Sequence, residues 1–348
     1  MRIAQVSPLI ESVPPKQYGG TERIVSYLAE ELVRLGHEVT LFASGDSMTH
    51  AHLESIIPKA LRLENRTDPL ASHLLMLEKV YRQSARFDII HFHTGYIHFP
   101  MCRRLHVPSV TTHHGRLDFS EWQPLYREFK EIPVISISNN QRSPIAWANW
   151  QATIYNGVPK ELYTYRSQPG GYLAFLGRIS PEKRVDRAIE IARRVGMKLK
   201  IAAKVDKVDV EYFETEIKPL LNSPDVEYIG EISEAEKDDF LGSAYALLFP
   251  IDWPEPFGLV MIEAMACGTP VIAYRHGSVP EVMQDGVTGF IVDNQDEAIA
   301  AVEKIGQLDR EQCRRTYEQR FSARRMAYDY VSAYKQLIYK HHRPRLVG

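Results

Sequence analysis

Apolar positions along this chain alternate between two patterns. Short apolar or β-branched runs are separated by longer segments in which apolar residues recur every three or four positions. Arg2 to Ser7, Val39 to Ala43, Asp88 to His93, Ser109 to His114 and Val134 to Ser138 read as strands buried on both faces. The segment from Thr21 carries Ile24, Val25, Leu28 and Leu32 on one helical face and stops at Gly36. A second series follows: Tyr172 to Leu176, Leu199 to Ala203, Val226 to Ile229, Ala246 to Pro250, Pro270 to Ala273 and Phe290 to Val292. Such βαβα alternation predicts α/β architecture with parallel, doubly wound sheets. The turn Tyr155-Asn156-Gly157-Val158-Pro159 and the polar stretch to Gly170-Gly171 mark a boundary. The pattern thus predicts one domain over 1–160 and another over 165–321. A last helix from about Ser322 presents Met326, Tyr330, Val331, Tyr334, Leu337 and Ile338 on one face.

At 348 residues the chain is long enough for two ordinary cores. Charged residues make up 25% and the net charge is −2, so no large basic field exists to attract a nucleic-acid backbone. Three separated cysteines without a C-x-x-C pair fit a reducing compartment. The start MRIAQVSPLI does not read as a signal peptide and no apolar run reaches membrane length, so a cytoplasmic location is expected. The end, Lys340-His341-His342-Arg343-Pro344-Arg345, reads as a solvated tail, or at most a weak contact with a membrane surface.

The chemistry concentrates between Ala246 and Tyr274. Glu255 sits between Pro254 and Pro256, which bias its backbone away from helix and hold its carboxylate in place. Leu259 to Cys267 then reads as a short helix stopped by Gly268. Backbone amides of Gly258, Leu259 and Val260 at its start make an anion site. Glu263 follows two helical turns later in an almost wholly apolar segment, where a buried carboxylate needs a partner. Strand–turn–helix units with a polar turn are common in α/β proteins, yet two such acids favour a functional site.

Three further features add to it. In the loop Gly177-Arg178-Ile179-Ser180-Pro181-Glu182-Lys183-Arg184, Ser180 reads as an N-cap and Pro181 as the first helical residue. Arg178 and Lys183 would then bracket a helix start and hold phosphate, although Gly-Arg turns also serve solvation alone. Gly19-Gly20 lies between a strand end and a helix start, where a ligand can approach the backbone; a simple turn explains the pair equally well. Ten of the 13 histidines fall in residues 1–160. His93 and His114 are expected at strand ends lining a crevice, with a metal site a poor second because no third ligand is fixed. Ser233 and Glu236 form a capping-box pattern.

With these residues in view, the chain resembles the family-4 retaining glycosyltransferases of the GT-B fold over nearly its whole length. The resemblance rests on Glu255-Pro256-Phe257-Gly258-Leu259 through Glu263 and on Ala264-Met265-Ala266-Cys267-Gly268-Thr269-Pro270-Val271. It is supported by Tyr18-Gly19-Gly20-Thr21-Glu22-Arg23, Thr112-His113-His114-Gly115, Asn156-Gly157-Val158, Gly177-Arg178 with Lys183, and Gly286-Val287-Thr288-Gly289. The YGGTER start is closest to the branch that includes the avilamycin-pathway transferase. Ala202-Ala203-Lys204 departs from the more usual Ala-Gly-Lys of such proteins.

The resemblance implies two Rossmann-like domains facing across a cleft, with the helix over 322–340 returning to the N-terminal one. It implies transfer of a hexose from a nucleotide-diphosphate sugar, UDP-hexose ahead of GDP-mannose, to a hydroxyl of a sugar or other small acceptor. Glu255 would bind donor-sugar hydroxyls, and Phe257, Gly258, Leu259 and Val260 would present amides to the sugar and diphosphate. Glu263 would grip the ribose, Arg178 and Lys183 would neutralise the diphosphate, and Gly19 and Gly20 would face it. His114 would lie beside the transferring sugar, and Ile232 would meet the base. No metal or cofactor is implied: an Asp-x-Asp at a strand end is absent, Asp209-Val210-Glu211 being the nearest approach. The rival readings are a GT-B phosphorylase or epimerase and a non-catalytic nucleotide-sugar-binding subunit. Against the first, no pyridoxal-phosphate lysine signature is present; against the second, Glu255, Glu263, Arg178 and Lys183 are all intact.

Overall fold

The computed structural model describes residues 1–16, 18–64 and 68–342. It divides into two compact units: Met1–Gly157 with the segment from Ala323, and Val158–Ser322. The end of the basic tail, from Arg343 on, lies outside the described residues.

The first unit holds seven parallel strands: β1 (Arg2–Val6), β2 (Glu38–Ala43), β3 (His52–Ser55), β4 (Ile89–Phe92), β5 (Ser109–Thr112), β6 (Val134–Ser136) and β7 (Trp150–Thr153). Their order is β3-β2-β1-β4-β5-β6-β7, with the long central strands buried on both faces. The two edge strands were not legible in the apolar pattern. His-Leu-Glu-Ser and Trp-Gln-Ala-Thr are only half buried, so neither needs a continuous apolar run. The helix Gly20–Arg34 packs against Ala323–His342, which buries Met326, Ala327, Tyr330, Tyr334 and Leu337.

The second unit holds six parallel strands: β8 (Tyr172–Ile179), β9 (Lys198–Val205), β10 (Val226–Gly230), β11 (Ala246–Phe249), β12 (Val271–Tyr274) and β13 (Gly289–Val292). Their order, β10-β9-β8-β11-β12-β13, reverses direction at β8, between β9 and β11. Its core joins Leu173, Phe175, Leu199, Ile201, Leu248 and Ile272 of the sheet to Val185, Ala188, Ile189 and Ala192 of the helix Val185–Val195. Each of its Leu, Ile, Val and Phe side chains contributes roughly 1.5–3 kcal/mol when fully buried.

Two local expectations are corrected here. Gly177 and Arg178 are not loop residues: they extend β8 and pair with Ala203 and Lys204 of β9. The following helix begins at Val185, not Pro181, because its buried stripe starts there. Ser180 to Lys183 instead close a turn, in which the Lys183 amide donates to the Ser180 carbonyl at 3.1 Å. Arg184, left-handed at φ 53°, then leads into the helix. Arg178 and Lys183 therefore lie on a strand end and a turn, and do not bracket a helix N-terminus. Among the described residues no helix is long and apolar enough to cross a membrane, and no group of His, Cys, Asp and Glu is arranged to hold a metal ion.

Candidate active site

In the second unit, the loops after β8 and β11 meet at the carboxyl ends of neighbouring strands, beside the point where strand order reverses. That is where open α/β sheets bind ligands. The Asp252 amide donates to the Glu182 carbonyl at 2.9 Å and ties the two loops together. Glu255, 8% exposed, pairs with the Lys183 ammonium and accepts a hydrogen bond from Trp253 Nε1 at 3.0 Å. The ammonium also lies over the rings of Trp253 and Phe249, 4.9 and 5.5 Å from their centroids. The Glu255 carboxylate is thus fixed by its side-chain partners as well as by its prolines.

The helix Leu259–Cys267 starts from Gly258, left-handed at φ 76°, and stops at Gly268. A Cβ on Gly258 would fall 2.7 Å from Met261 Cε. First-turn amides of a helix have no acceptor within it, so those of Leu259 and Val260 face outward. Glu263 is 3% exposed, and its partner is Lys237, at 3.0 Å, which also pairs with Glu234 at 3.2 Å. Lys237 belongs to the helix Glu234–Gly242, whose start carries the Ser233–Glu236 capping box. Half-buried Ile232 lies between that helix and β10.

Arg178 is ringed by carboxylates: Glu182, Asp209 at 3.4 Å and Asp206 at 3.8 Å. Burial pushes the Asp209 carboxyl above its ordinary range, against the pull of Arg178, and Glu182 and Asp206 add to the rise. Burial acts the same way on Glu182, but its backbone hydrogen bond and Arg178 outweigh it and hold that carboxyl low. The two cations expected to hold phosphate therefore rest on carboxylates.

In the first unit, His93 continues β4 through its amide bond to the Val6 carbonyl at 2.9 Å, and His113 continues β5 toward Ile135 at 3.3 Å. The His93 and His114 rings stack, with Nδ1 of the first 2.8 Å from Nε2 of the second. Burial keeps these rings neutral: His114 is pushed down to about 4, His113 to about 3, and His91, His93 and His98 well below the ordinary value. Gly19 precedes the helix Gly20–Arg34, and its carbonyl accepts from the Arg23 amide at 3.1 Å.

Two family models match, domain by domain: "Glycosyltransferase Family 4" over residues 18–161 and "Glycosyl transferases group 1" over residues 167–324. The chain carries the paired domains of a GT-B glycosyltransferase. A phosphatidyl-myo-inositol mannosyltransferase of Mycolicibacterium smegmatis is 28% identical to it, over 98% of this chain and 94% of the relative. Among solved structures, AviGT4, a glycosyltransferase of avilamycin A biosynthesis, superposes with a TM-score of 0.74 at 24% identity, covering 97% of this chain and 98% of its own. Anabaena HepE, solved in complex with UDP-glucose, gives 0.74 at 18% identity over 97% and 100% of the two chains.

The candidate site also depends on residues that the chain's local patterns did not single out. Gly277, at φ 57°, approaches the Glu255 backbone so closely that a Cβ would lie 2.3 Å from its nitrogen and oxygen. Next to it, the Ser278 amide donates to the Glu255 carbonyl and the Ser278 hydroxyl to the Phe257 carbonyl, both at 2.9 Å. The His-Gly-Ser loop after β12 therefore clamps the acidic turn around Glu255. A Gly-Ser pair after a strand was the available signal. For Lys237 there was none, since it sits among the charged residues Glu234, Glu236, Asp238 and Asp239 of its helix.

Proposed function

We propose that this chain is a retaining hexosyltransferase, moving a hexose from a nucleotide-diphosphate sugar to a hydroxyl of a sugar or other small acceptor. The observation that carries the reading is Glu255, nearly buried and held by Lys183, Trp253 and Gly277-Ser278 at the start of the helix Leu259–Cys267. A turn built so firmly around one carboxylate suits the orientation of sugar hydroxyls. The helix amides with Arg178 and Lys183 suit the diphosphate, and Glu263 suits the ribose.

In the reaction, the bond between the anomeric carbon and the phosphate oxygen breaks, and the acceptor oxygen bonds to that carbon on the same face. The acceptor proton passes to the departing diphosphate. Arg178 and Lys183 leave their carboxylates to stabilise the charge gathering on that group. Glu255 orients substrate and forms no glycosyl intermediate. His114 lies beside the sugar, Gly19 and Gly20 face the diphosphate, and the Ile232 backbone meets the base. The cations and amides supply the positive charge, so the reaction needs neither a metal nor a cofactor. The protein works in the cytoplasm, with at most a peripheral membrane contact and no nucleic-acid partner.

The HepE complex with UDP-glucose supports a UDP-hexose donor. The relationship to a mannosyltransferase keeps a GDP-mannose donor as the second reading. Incubation with a panel of nucleotide sugars, with and without EDTA, tests the proposal. It predicts donor turnover, fastest with a UDP-hexose and undiminished by EDTA. Activity lost in EDTA and restored by magnesium or manganese would remove the metal-independent mechanism. Absence of turnover with tight nucleotide binding would favour a non-catalytic binding subunit.

A further inference from the structure

The His114 imidazole ends a continuous hydrogen-bonded chain through the interior of the first unit. His114 Nε2 meets His93 Nδ1 at 2.8 Å, and His93 Nε2 meets Gln5 Oε1 at 2.8 Å. Gln5 Nε2 donates to the Tyr334 hydroxyl at 3.0 Å, and that hydroxyl lies 2.6 Å from His91 Nδ1. His91 Nε2 then reaches Thr112 Oγ1 at 2.8 Å, and Thr112 reaches the Tyr330 hydroxyl at 3.1 Å. Gln5, His91, Thr112, Tyr330 and Tyr334 are wholly buried, and His93 is 3% exposed. Packing alone does not call for so many polar groups here, because apolar residues of the same shape fill such a space at no loss.

Gln5 gives the chain its direction. An amide oxygen only accepts and an amide nitrogen only donates. With its oxygen toward His93, Gln5 requires a hydrogen on His93 Nε2. Neutral imidazole carries a single N–H, and burial keeps both rings neutral. His93 Nδ1 is therefore a lone pair, and the hydrogen between the rings belongs to His114 Nε2. His114 Nδ1 is left as an acceptor. On the other side of Gln5 the order is consistent: Tyr334 accepts from the amide and donates to His91 Nδ1, so His91 Nε2 donates to Thr112.

We propose that Gln5 and Tyr334, acting through His93, are positioning residues that lock His114 as its Nε2–H tautomer, so that its Nδ1 accepts a hydrogen bond from a substrate hydroxyl. The substrate clause rests on the glycosyltransferase reading; the lock itself does not. A bare imidazole nitrogen welcomes an O–H and repels a phosphate or carboxylate oxygen, whose lone pairs it cannot satisfy. His114 is thereby tuned to the neutral sugar and away from the anionic part of the donor. It also gives the Ala323–His342 helix a second role, because its Tyr334 sets the polarity of a group that is distant in sequence.

The test is a long-range 1H–15N spectrum of the full chain labelled at histidine, at pH 7.5, with His114 assigned from its loss in His114→Asn. The wild type is expected to carry the His114 proton on Nε2 alone. Gln5→Met, which keeps the volume and removes both amide contacts, should give a mixture of tautomers. Tyr334→Phe, the milder change, should do so in part. Donor kcat/KM should fall about three- to tenfold in each, the size expected for losing one hydrogen bond. A His114 proton on Nδ1 in the wild type, or an unchanged tautomer in both folded variants, would overturn the lock. The Nε2–H tautomer in a protein without glycosyl transfer would uphold the lock and defeat the functional reading instead.

Discussion

The two units share a parallel-sheet architecture and place opposite electrostatics at their strand ends. In the first, histidines, tyrosines, Thr112 and Gln5 form a buried network with no formal charge. In the second, Arg178, Lys183 and Lys237 each rest on carboxylates. The contrast follows from what each can bind. A neutral network has fixed donors and acceptors and suits hydroxyl groups. Paired charges hold cations and anions ready for exchange, and suit a ligand that brings its own negative charge.

The largest expected effect that separates the units is acid unfolding. The folded-state pKa values of His91, His93, His98, His113 and His114 all lie below the ordinary one. The unfolded chain therefore binds protons that the folded unit refuses. Stability from these rings is complete above about pH 6.5 and is lost as pH falls through that value toward the lowered ones. Hydrogen exchange across a pH series should show peptides of residues 1–157 opening before those of 158–322. The reverse order would break the comparison.

Next comes Lys183→Ala. On the proposed mechanism its charge is needed most as the diphosphate departs, and removing one such electrostatic contact costs about 10²–10³-fold in kcat. Steady-state kinetics should show that loss in a folded protein; a variant within a few fold of wild type would move the charge stabilisation elsewhere. Gly277→Ala acts through geometry. A left-handed residue whose Cβ strikes the Glu255 backbone should lower stability by about 1–3 kcal/mol and slow turnover as Glu255 shifts. Thermal melting and activity should fall together. Smallest is Lys237→Met, which frees Glu263 from its partner and should change donor KM by roughly tenfold with little change in kcat.

Strand and helix periodicity made the two sheets legible, because most strands are continuous apolar runs. The edges β3 and β7 escaped, since a half-buried edge strand needs no such run. The Glu255 turn was legible through its prolines and Gly258. Its clamp at Gly277-Ser278 was not, because the contact joins loops after different strands. The start at Pro181 failed because proline after serine fits a turn as well as a helix cap; only the buried stripe from Val185 decides between them. That the Arg178 and Lys183 cations are satisfied by carboxylates is a matter of packing, which spacing along the chain does not encode. His93 and His114 were expected at strand ends, but their link to Gln5 and Tyr334 spans most of the chain and is visible only in the fold.

The central claim is that Glu255 and Glu263 serve different parts of one donor. Calorimetric titration of UDP and GDP into Glu255→Ala and Glu263→Ala, with steady-state kinetics on both, tests it most directly. If Glu263 grips the ribose, its loss weakens nucleotide binding by about ten- to a hundred-fold, the worth of a charge-assisted hydrogen bond, and chiefly raises donor KM. If Glu255 orients the sugar, its variant binds nucleotide nearly as wild type does and loses kcat. Nucleotide binding abolished in Glu255→Ala and intact in Glu263→Ala would contradict the account.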